Sequence, residues 1–186
     1  LFRWANALHL ETRGGVVERA LLFKSGDPVS VRVLEETERL LRASKYFYDV
    51  QFRPLAYRNG IVDIEVATRD TWSLNLNVRA GRAGGENTTG IKITEDNFLG
   101  TGTAVGFGRT NDVDRSSNEF TVSNDRAFGT WTSVFLGSSS NSDGSSAAAS
   151  VVRPFYALDT RWAAGVTASR FDRIDSVYNA GNVASE

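Results

Sequence analysis

From Trp72 onward, apolar and polar residues alternate in one short run after another, and this period of two restricts the second part of the chain to half-buried β-strands. Trp72, Leu74, Leu76 and Val78 share one side, and Ser73, Asn75, Asn77 and Arg79 the other. Ile91 and Ile93 alternate with Lys92 and Thr94, Val105 and Phe107 with Gly106 and Gly108, and Phe120 and Val122 with Glu119, Thr121 and Ser123. Trp162, Ala164, Val166 and Ala168 alternate with Arg161, Ala163, Gly165 and Thr167. With less regular runs near Thr132–Gly137 and Ala147–Val152, seven strands are expected.

The connections alternate too. One set is short and aromatic: Asn97-Phe98-Leu99-Gly100-Thr101, Arg126-Ala127-Phe128-Gly129-Thr130, and Arg153-Pro154-Phe155 leading to Leu158-Asp159-Thr160. Counted from Asn97 to Arg126 to Arg153, their offsets are 29 and 27 residues. The other set is polar: Gly81–Thr89, Asn111–Ser117, Ser138–Ser146 and Phe171 onward. Tight turns at one end and long polar loops at the other are expected, the pattern of a membrane barrel with an apolar lipid face and a polar lumen.

The first seventy residues have a different grammar. Of the 17 glycines, only Gly14, Gly15, Gly26 and Gly60 precede Asp70. Ala7 to Glu11 reads as a strand, and Gly15 to Phe23 as a short helix with Val16, Ala20 and Phe23 at helical spacing. Gly26-Asp27-Pro28 ends it, and Ser30 is placed to cap a second helix reaching about Ser44. Leu34, Thr37, Leu40 and Leu41 share a face of that helix, with Glu35–Arg39 and Glu38–Arg42 pairs on its wet side. Tyr46 to Arg53 reads as a strand stopped by Pro54, and Asn59-Gly60 as a hairpin turn before the strand Ile61 to Ala67. The order is β-α-α-β-β, an α+β unit with Leu34, Leu40, Val62, Ile64 and Val66 in one core.

Composition narrows the chemistry. Cysteine is absent, so disulfides, thiolate metal sites and cysteine nucleophiles are excluded. His9 is the sole histidine, and no Gly-x-Ser-x-Gly elbow accompanies it, so it reads as a histidine near a strand end rather than part of a hydrolytic triad. Gly81-Arg82-Ala83-Gly84-Gly85 lacks the Gly-Lys-Ser/Thr ending of a phosphate loop. Asp112 with Asp114 and Asp172 with Asp175 do not follow a calcium-loop pattern and read as solvated. The net charge of −1 carries no footprint for nucleic acid. No enzyme activity and no cofactor are expected. The chain starts at Leu1 with no visible signal peptide and reads as an internal piece whose targeting segment lies upstream. Trp72, Trp131 and Trp162, at strand starts beside the tight turns, suggest an interfacial aromatic girdle.

Two groups of residues resemble a known family. Gly26-Asp27-Pro28, then Leu34-Glu35-Glu36-Thr37-Glu38-Arg39-Leu40-Leu41, then Tyr46-Phe47-Tyr48-Asp49-Val50 are similar to a POTRA domain. Asp70-Thr71-Trp72-Ser73-Leu74, Glu95-Asp96-Asn97-Phe98-Leu99-Gly100-Thr101-Gly102 and Arg153-Pro154-Phe155-Tyr156 resemble the opening barrel strands of the BamA/TamA-type outer-membrane superfamily. The resemblance implies a POTRA domain over residues 1–70, in the periplasm, followed over residues 71–186 by the first strands of a truncated transmembrane β-barrel, antiparallel and up-and-down. It implies a bacterial outer-membrane factor for assembly, insertion or translocation of polypeptides. Its partners would be unfolded outer-membrane or secreted polypeptides, periplasmic subunits and the lipid bilayer. The later strands, the closing strand and the family's Arg-Gly-containing lumen loop are missing from this chain.

Three other functions remain open: a two-partner secretion-type transporter, a passive pore or anchor with a POTRA tether, and a soluble β-rich binding protein whose apolar alternation fills a sandwich core. Two sets of site residues follow. The strand carrying Tyr48, Val50 and Phe52 is a candidate edge for adding a substrate strand. Trp72, Leu74, Leu76, Val78, Val105, Phe107, Phe120, Val122, Trp162, Ala164 and Val166 are candidates to face lipid, with Ser73, Asn75, Asn77, Arg79, Lys92, Glu119, Thr121 and Arg161 turned to the lumen.

Overall fold

The computed structural model of the chain describes residues 10–83, 85–175, 177–179 and 182–185. His9 and most of the strand expected over Ala7 to Glu11 lie outside the described residues, and Leu10 and Glu11 carry no strand. Among the described residues two helices come first, α1 (Gly14–Glu18) and α2 (Val31–Arg42). A long hairpin follows, β1 (Phe47–Arg58) and β2 (Ile61–Asp70). Its turn, Asn59-Gly60, has positive φ at both positions, 51° and 81°, the tight geometry that Asn-Gly favours.

The core of this α/β unit joins the helices to the base of the hairpin. Val16, Ala20, Leu41, Tyr46, Phe47 and Val50 form the buried cluster, with Val17, Leu21, Phe52 and Val66 packed against it. Leu40 is buried as expected, but Leu34, Val62 and Ile64 are only half-covered. For the two hairpin residues the reason is geometric: the hairpin is longer than the contact area of the helices, so its far half has nothing among the described residues to pack on. Thr37, fully buried, satisfies its hydroxyl by donating to the Val33 carbonyl at 2.6 Å and accepting the Leu22 amide at 3.4 Å, which ties the exit of α1 to α2.

Several local expectations are corrected. α1 stops at Glu18 instead of Phe23. Ser30 sits at the N-cap of α2, but its hydroxyl makes no cap bond; its carbonyl accepts the Leu34 amide. Arg39 forks onto Glu36 rather than pairing with Glu35, while Arg42 meets Glu38 at 2.8 Å as the spacing predicts. Pro54 does not stop β1. The strand continues to Arg58 through a bulge between Pro54 and Ala56, tolerated because β1 pairs on one side only among the described residues and needs no amide there.

The second part is one sheet of seven strands, paired antiparallel in chain order. They are β3 (Leu74–Ala83), β4 (Glu86–Glu95), β5 (Thr103–Asn111), β6 (Ser116–Ala127), β7 (Thr132–Asn141), β8 (Gly144–Arg153) and β9 (Ala164–Arg173). A short separate hairpin, β10 (Val177–Asn179) and β11 (Asn182–Ser185), follows. The long polar loops are a further correction. β3 and β4 are joined through residues 84 and 85, β7 and β8 through 142 and 143, and β5 and β6 through 112–115. The polar residues read as loops belong to strands whose ends extend past the apolar zone, where both faces suit water and the ladder still satisfies the backbone.

Candidate functional site

The pairing register gathers the alternating residues onto two unlike faces. On one, Leu76 stands beside Ile93, Ile93 beside Phe107, and Phe107 beside Phe120; a neighbouring row joins Val105 to Val122 and Val122 to Leu136. Val134, Val151 and Val166 line up one row nearer the α/β end. The row through Leu76 and Phe120 turns polar as it continues, to Ser138, Ala147 and Arg170. The apolar band therefore crosses the pairing rows obliquely, drifting toward the α/β end by β9. Strands tilted against a flat apolar layer produce such a drift. Nothing among the described residues covers the band: Leu76 is 64% exposed and Val166 67%.

The opposite face carries Asn75, Asn77, Arg79, Lys92, Thr94, Glu119, Thr121, Ser139 and Ser146 in the same register. Lys92 reaches Glu119 at 3.5 Å across β5, where Gly108 lies between them. A long side chain at Gly108 would stand in that path. Phe135 and Phe171 are apolar exceptions. The Phe135 ring covers Gly137, 2.8 Å from where a Cβ would lie. Both aromatics line a cavity of about 800 Å³ on this face with Arg115, Glu119 and Ser146. The members of the expected outward and inward sets that lie in strands thus separate onto the two faces, whereas Trp72, Ser73, Arg161 and Trp162 precede β3 and β9, and Ser73 is buried instead of facing a lumen.

A second arrangement, which alternation could not reveal, joins the α/β unit to the turns at one end of the sheet. Arg126, at the end of β6, donates to the Tyr46 hydroxyl at 2.8 Å, the Ser44 hydroxyl at 3.0 Å and the Leu40 carbonyl at 3.2 Å. Leu40 lies in the last turn of α2, so this guanidinium supplies a donor to one of the helix's orphan carbonyls. Its carbon sits 4.8 Å from the Trp131 ring centre, and Trp131 stacks on Tyr156 at 4.9 Å. Trp131 is therefore drawn against the α/β core, a correction to its expected place in a girdle, whereas Trp72 and Trp162 stay exposed.

The turn after β4 makes the other attachment. Asn97, almost fully buried, donates to Thr12 Oγ1 at 2.7 Å and accepts the Gly102 amide at 2.7 Å. Thr12 in turn donates through its amide and its hydroxyl to Asp70 at 2.6 and 2.8 Å. The Arg13 amide donates to the Gly100 carbonyl at 2.9 Å, and a Cβ on Gly100 would lie 2.3 Å from the Glu11 carbonyl oxygen. Only glycine fits that approach. Beside it, burial pushes the Asp96 carboxyl above its ordinary value despite the Lys45 ammonium, with Glu95 adding repulsion. That carboxyl favours folding less as pH rises through the ordinary carboxylate range. On α2 the Arg39 guanidinium holds the Glu36 carboxyl low, helped by the Leu158 amide.

Replacing Arg126 by Met should cost about 1–3 kcal/mol by stranding the Leu40, Ser44 and Tyr46 partners. Faster amide hydrogen exchange over residues 40–46, with sheet protection unchanged, is the expected readout; unchanged exchange there would show that the contacts carry no load.

The candidate edge strand is placed as follows. Val50 is fully buried in the α/β core, Phe52 is half-buried against the Phe23 ring at 6.0 Å, and Tyr48 is 70% exposed under Arg69. The β1 backbone pairs with β2 on one side and with no other described strand. No cluster of three metal-ligating side chains occurs among the described residues.

No family model matches the chain, and no curated protein matches it. Among solved structures it is similar to BamA from Haemophilus ducreyi lacking POTRA domains 1-3, at 16% identity and a TM-score of 0.65. The match covers 90% of this chain and 35% of that one. The chain thus has a BamA-like fold over about a third of that protein's length.

Proposed function

We propose that the chain is the junction between a periplasmic POTRA domain, residues 1–70, and the first strands of an outer-membrane β-barrel, residues 71–186, in a protein that assembles or translocates polypeptides. The observation that carries this reading is the apolar band: seven strands wide, uncovered, oblique to the pairing rows and backed by a polar face. A soluble sandwich would need a second layer over that band, and none of the described residues supplies it. Lipid supplies the cover in a barrel, and the ladder satisfies every backbone group within it. The likeness to BamA supports the same placement, with the α/β unit on the periplasmic side of the turns. In this reading the β1 edge, which no described strand pairs, offers backbone groups to an unfolded client strand, with lipid and periplasmic subunits as the further partners.

The clamp formed by Arg126 and Asn97 gives one alternative its support, since a firmly seated POTRA domain also suits a tether on a passive pore or a secretion-type transporter. A photo-crosslinking residue at Tyr48 of the full-length protein separates them. Adducts with unfolded outer-membrane or secreted polypeptides are expected for an assembly or translocation factor. Adducts with one fixed partner alone, and none with client chains, would favour the tether.

A further inference from the structure

Two turns of the sheet are built alike, and each breaks the same local rule. In Phe98-Leu99-Gly100-Thr101, Leu99 has φ 55° and Gly100 φ 69°, and the Thr101 amide donates to the Phe98 carbonyl at 3.2 Å. In Ala127-Phe128-Gly129-Thr130, Phe128 has φ 58° and Gly129 φ 68°, and the Thr130 amide donates to the Ala127 carbonyl at 3.1 Å. The threonine hydroxyls donate to the same carbonyls, at 2.7 and 3.1 Å. Positive φ at both central positions suits Asn-Gly, and a bulky side chain in the first position is strained. The same chain makes this turn the unstrained way in its α/β unit, with Asn59 at φ 51°. Leu99 and Phe128 replace that asparagine only at the sheet's turns. Packing does not compensate for the strain, because Leu99 is 49% exposed and Phe128 82%.

We propose that Leu99 and Phe128 are membrane anchors, which enter the interfacial layer of the leaflet on the α/β side. This rests on the barrel reading above. Depth argues for lipid as the occupant. Val134 is the last band residue of β7, and the turn at Thr130 lies four residues beyond it. At about 3.3 Å per residue, less for tilt, the tip sits roughly 10 Å past the band, within reach of the headgroup zone. The band's own margin continues to the same end, where Trp72 and Trp162 are exposed and the Arg153 guanidinium lies 4.4 Å from the Trp162 ring centre. An apolar tip between an aromatic margin and water is an interfacial anchor's composition. Such a residue belongs where its side chain leaves water, even at a cost to the backbone that presents it.

The test uses opposite signs. In the full-length protein, Leu99→Asn with Phe128→Asn installs the residue this chain already uses at Asn59. The unfolding midpoint in detergent should stay or rise, because backbone strain is relieved. Insertion into phosphatidylglycerol–phosphatidylcholine vesicles should slow on the order of tenfold, as two apolar anchors are lost. A lowered midpoint with unchanged insertion would overturn the proposal in favour of a packing role. A second measurement does not depend on that variant's folding. The chain has no cysteine, so a fluorophore on Phe128→Cys reports one site. It should be quenched by headgroup-attached probes and not by probes at the acyl-chain end. No quenching, whether from water or from a covering protein, overturns the inference. Fluorophores at Val78 and Val105 separate the two readings: mid-chain quenching there with none at residue 128 rejects the anchors alone, and no quenching at any of the three rejects the barrel.

Discussion

Leu41→Ala should lower the unfolding free energy of the α/β unit by about 2–5 kcal/mol, the range for emptying a fully buried leucine site. Leu41 has no exposed surface and belongs to the cluster of Val16, Ala20, Tyr46, Phe47 and Val50, which joins both helices to the base of the hairpin. Removing its side chain leaves a cavity between elements that cannot close without pulling α2 off the sheet. Leu40, one residue earlier, sits at the margin of that packing and presents its carbonyl to Arg126, so Leu40→Ala should cost less. Val31→Ala is the control; at 68% exposed its effect should stay within about 0.5 kcal/mol. Urea unfolding of the full-length protein, followed by helical circular dichroism, measures all three. Equal losses at Leu40 and Leu41 would mean that α2 is rotated from the packing described.

The seven strands of the sheet were legible because alternation survives wherever one face is apolar and the other wet. Leu74 to Arg79 and Phe120 to Ser123 separate cleanly, and the register places them as their spacing predicts. β7 and β8 were harder to read, and the cause is visible in their residues. Ser138, Ser139, Ser140, Ser145 and Ser146 are polar on both faces, so pattern cannot distinguish a strand end in water from a loop. The hairpin ladder decides it, through backbone bonds that leave no mark on side-chain polarity. Pro54 misled for a related reason. A proline stops a central strand, but β1 has a side that no described strand pairs, and sequence alone does not say which strands have one.

The clamp was legible only in part. Asn97 and Arg126 stand in turn motifs whose spacing marked them as repeated elements, and Gly100 had the residue type a tight turn needs. Their partners were not readable. Arg126 meets Tyr46 from 80 positions away, and Asn97 meets Thr12 from 85. Such contacts depend on how two units dock, which no local period records. Trp131 shows the same limit. Its position at a strand start fits a girdle as well as a core, and the stacking of Arg126, Trp131 and Tyr156 settles it toward the α/β unit. The buried Thr37 is the counterexample. Its place on the apolar face of α2 was readable from helical spacing, and only its pair of hydrogen bonds needed coordinates.

Leu76→Arg should destabilise the complete protein in bilayers by about 2–4 kcal/mol, whereas Asn77→Arg, one residue along the same strand, should change stability far less. The two positions differ in face and in little else. Leu76 pairs with Ile93 in the apolar band, and Asn77 pairs with Lys92 on the polar face. A cation at residue 76 must leave water or bend the lipid around it; one at residue 77 enters a face that already holds Arg79, Lys92 and Glu119. Lys92 next to residue 77 adds some like-charge repulsion, which sets a floor under the second effect but is screened by salt. Equilibrium folding into vesicles, read by the heat-dependent mobility shift of folded barrels, gives both numbers. Destabilisation by Leu76→Arg alone does not identify the solvent, because a sandwich core would reject the charge as well. The solvent is identified by fluorophores at Val78 and Val105, whose side chains lie on the same face as Leu76. Quenching by lipid-attached probes at both, together with the Leu76 and Asn77 asymmetry, is the result expected of a lipid-facing sheet. The same asymmetry with no quenching at either position would mean that protein covers the band, and the membrane assignment would fall with it.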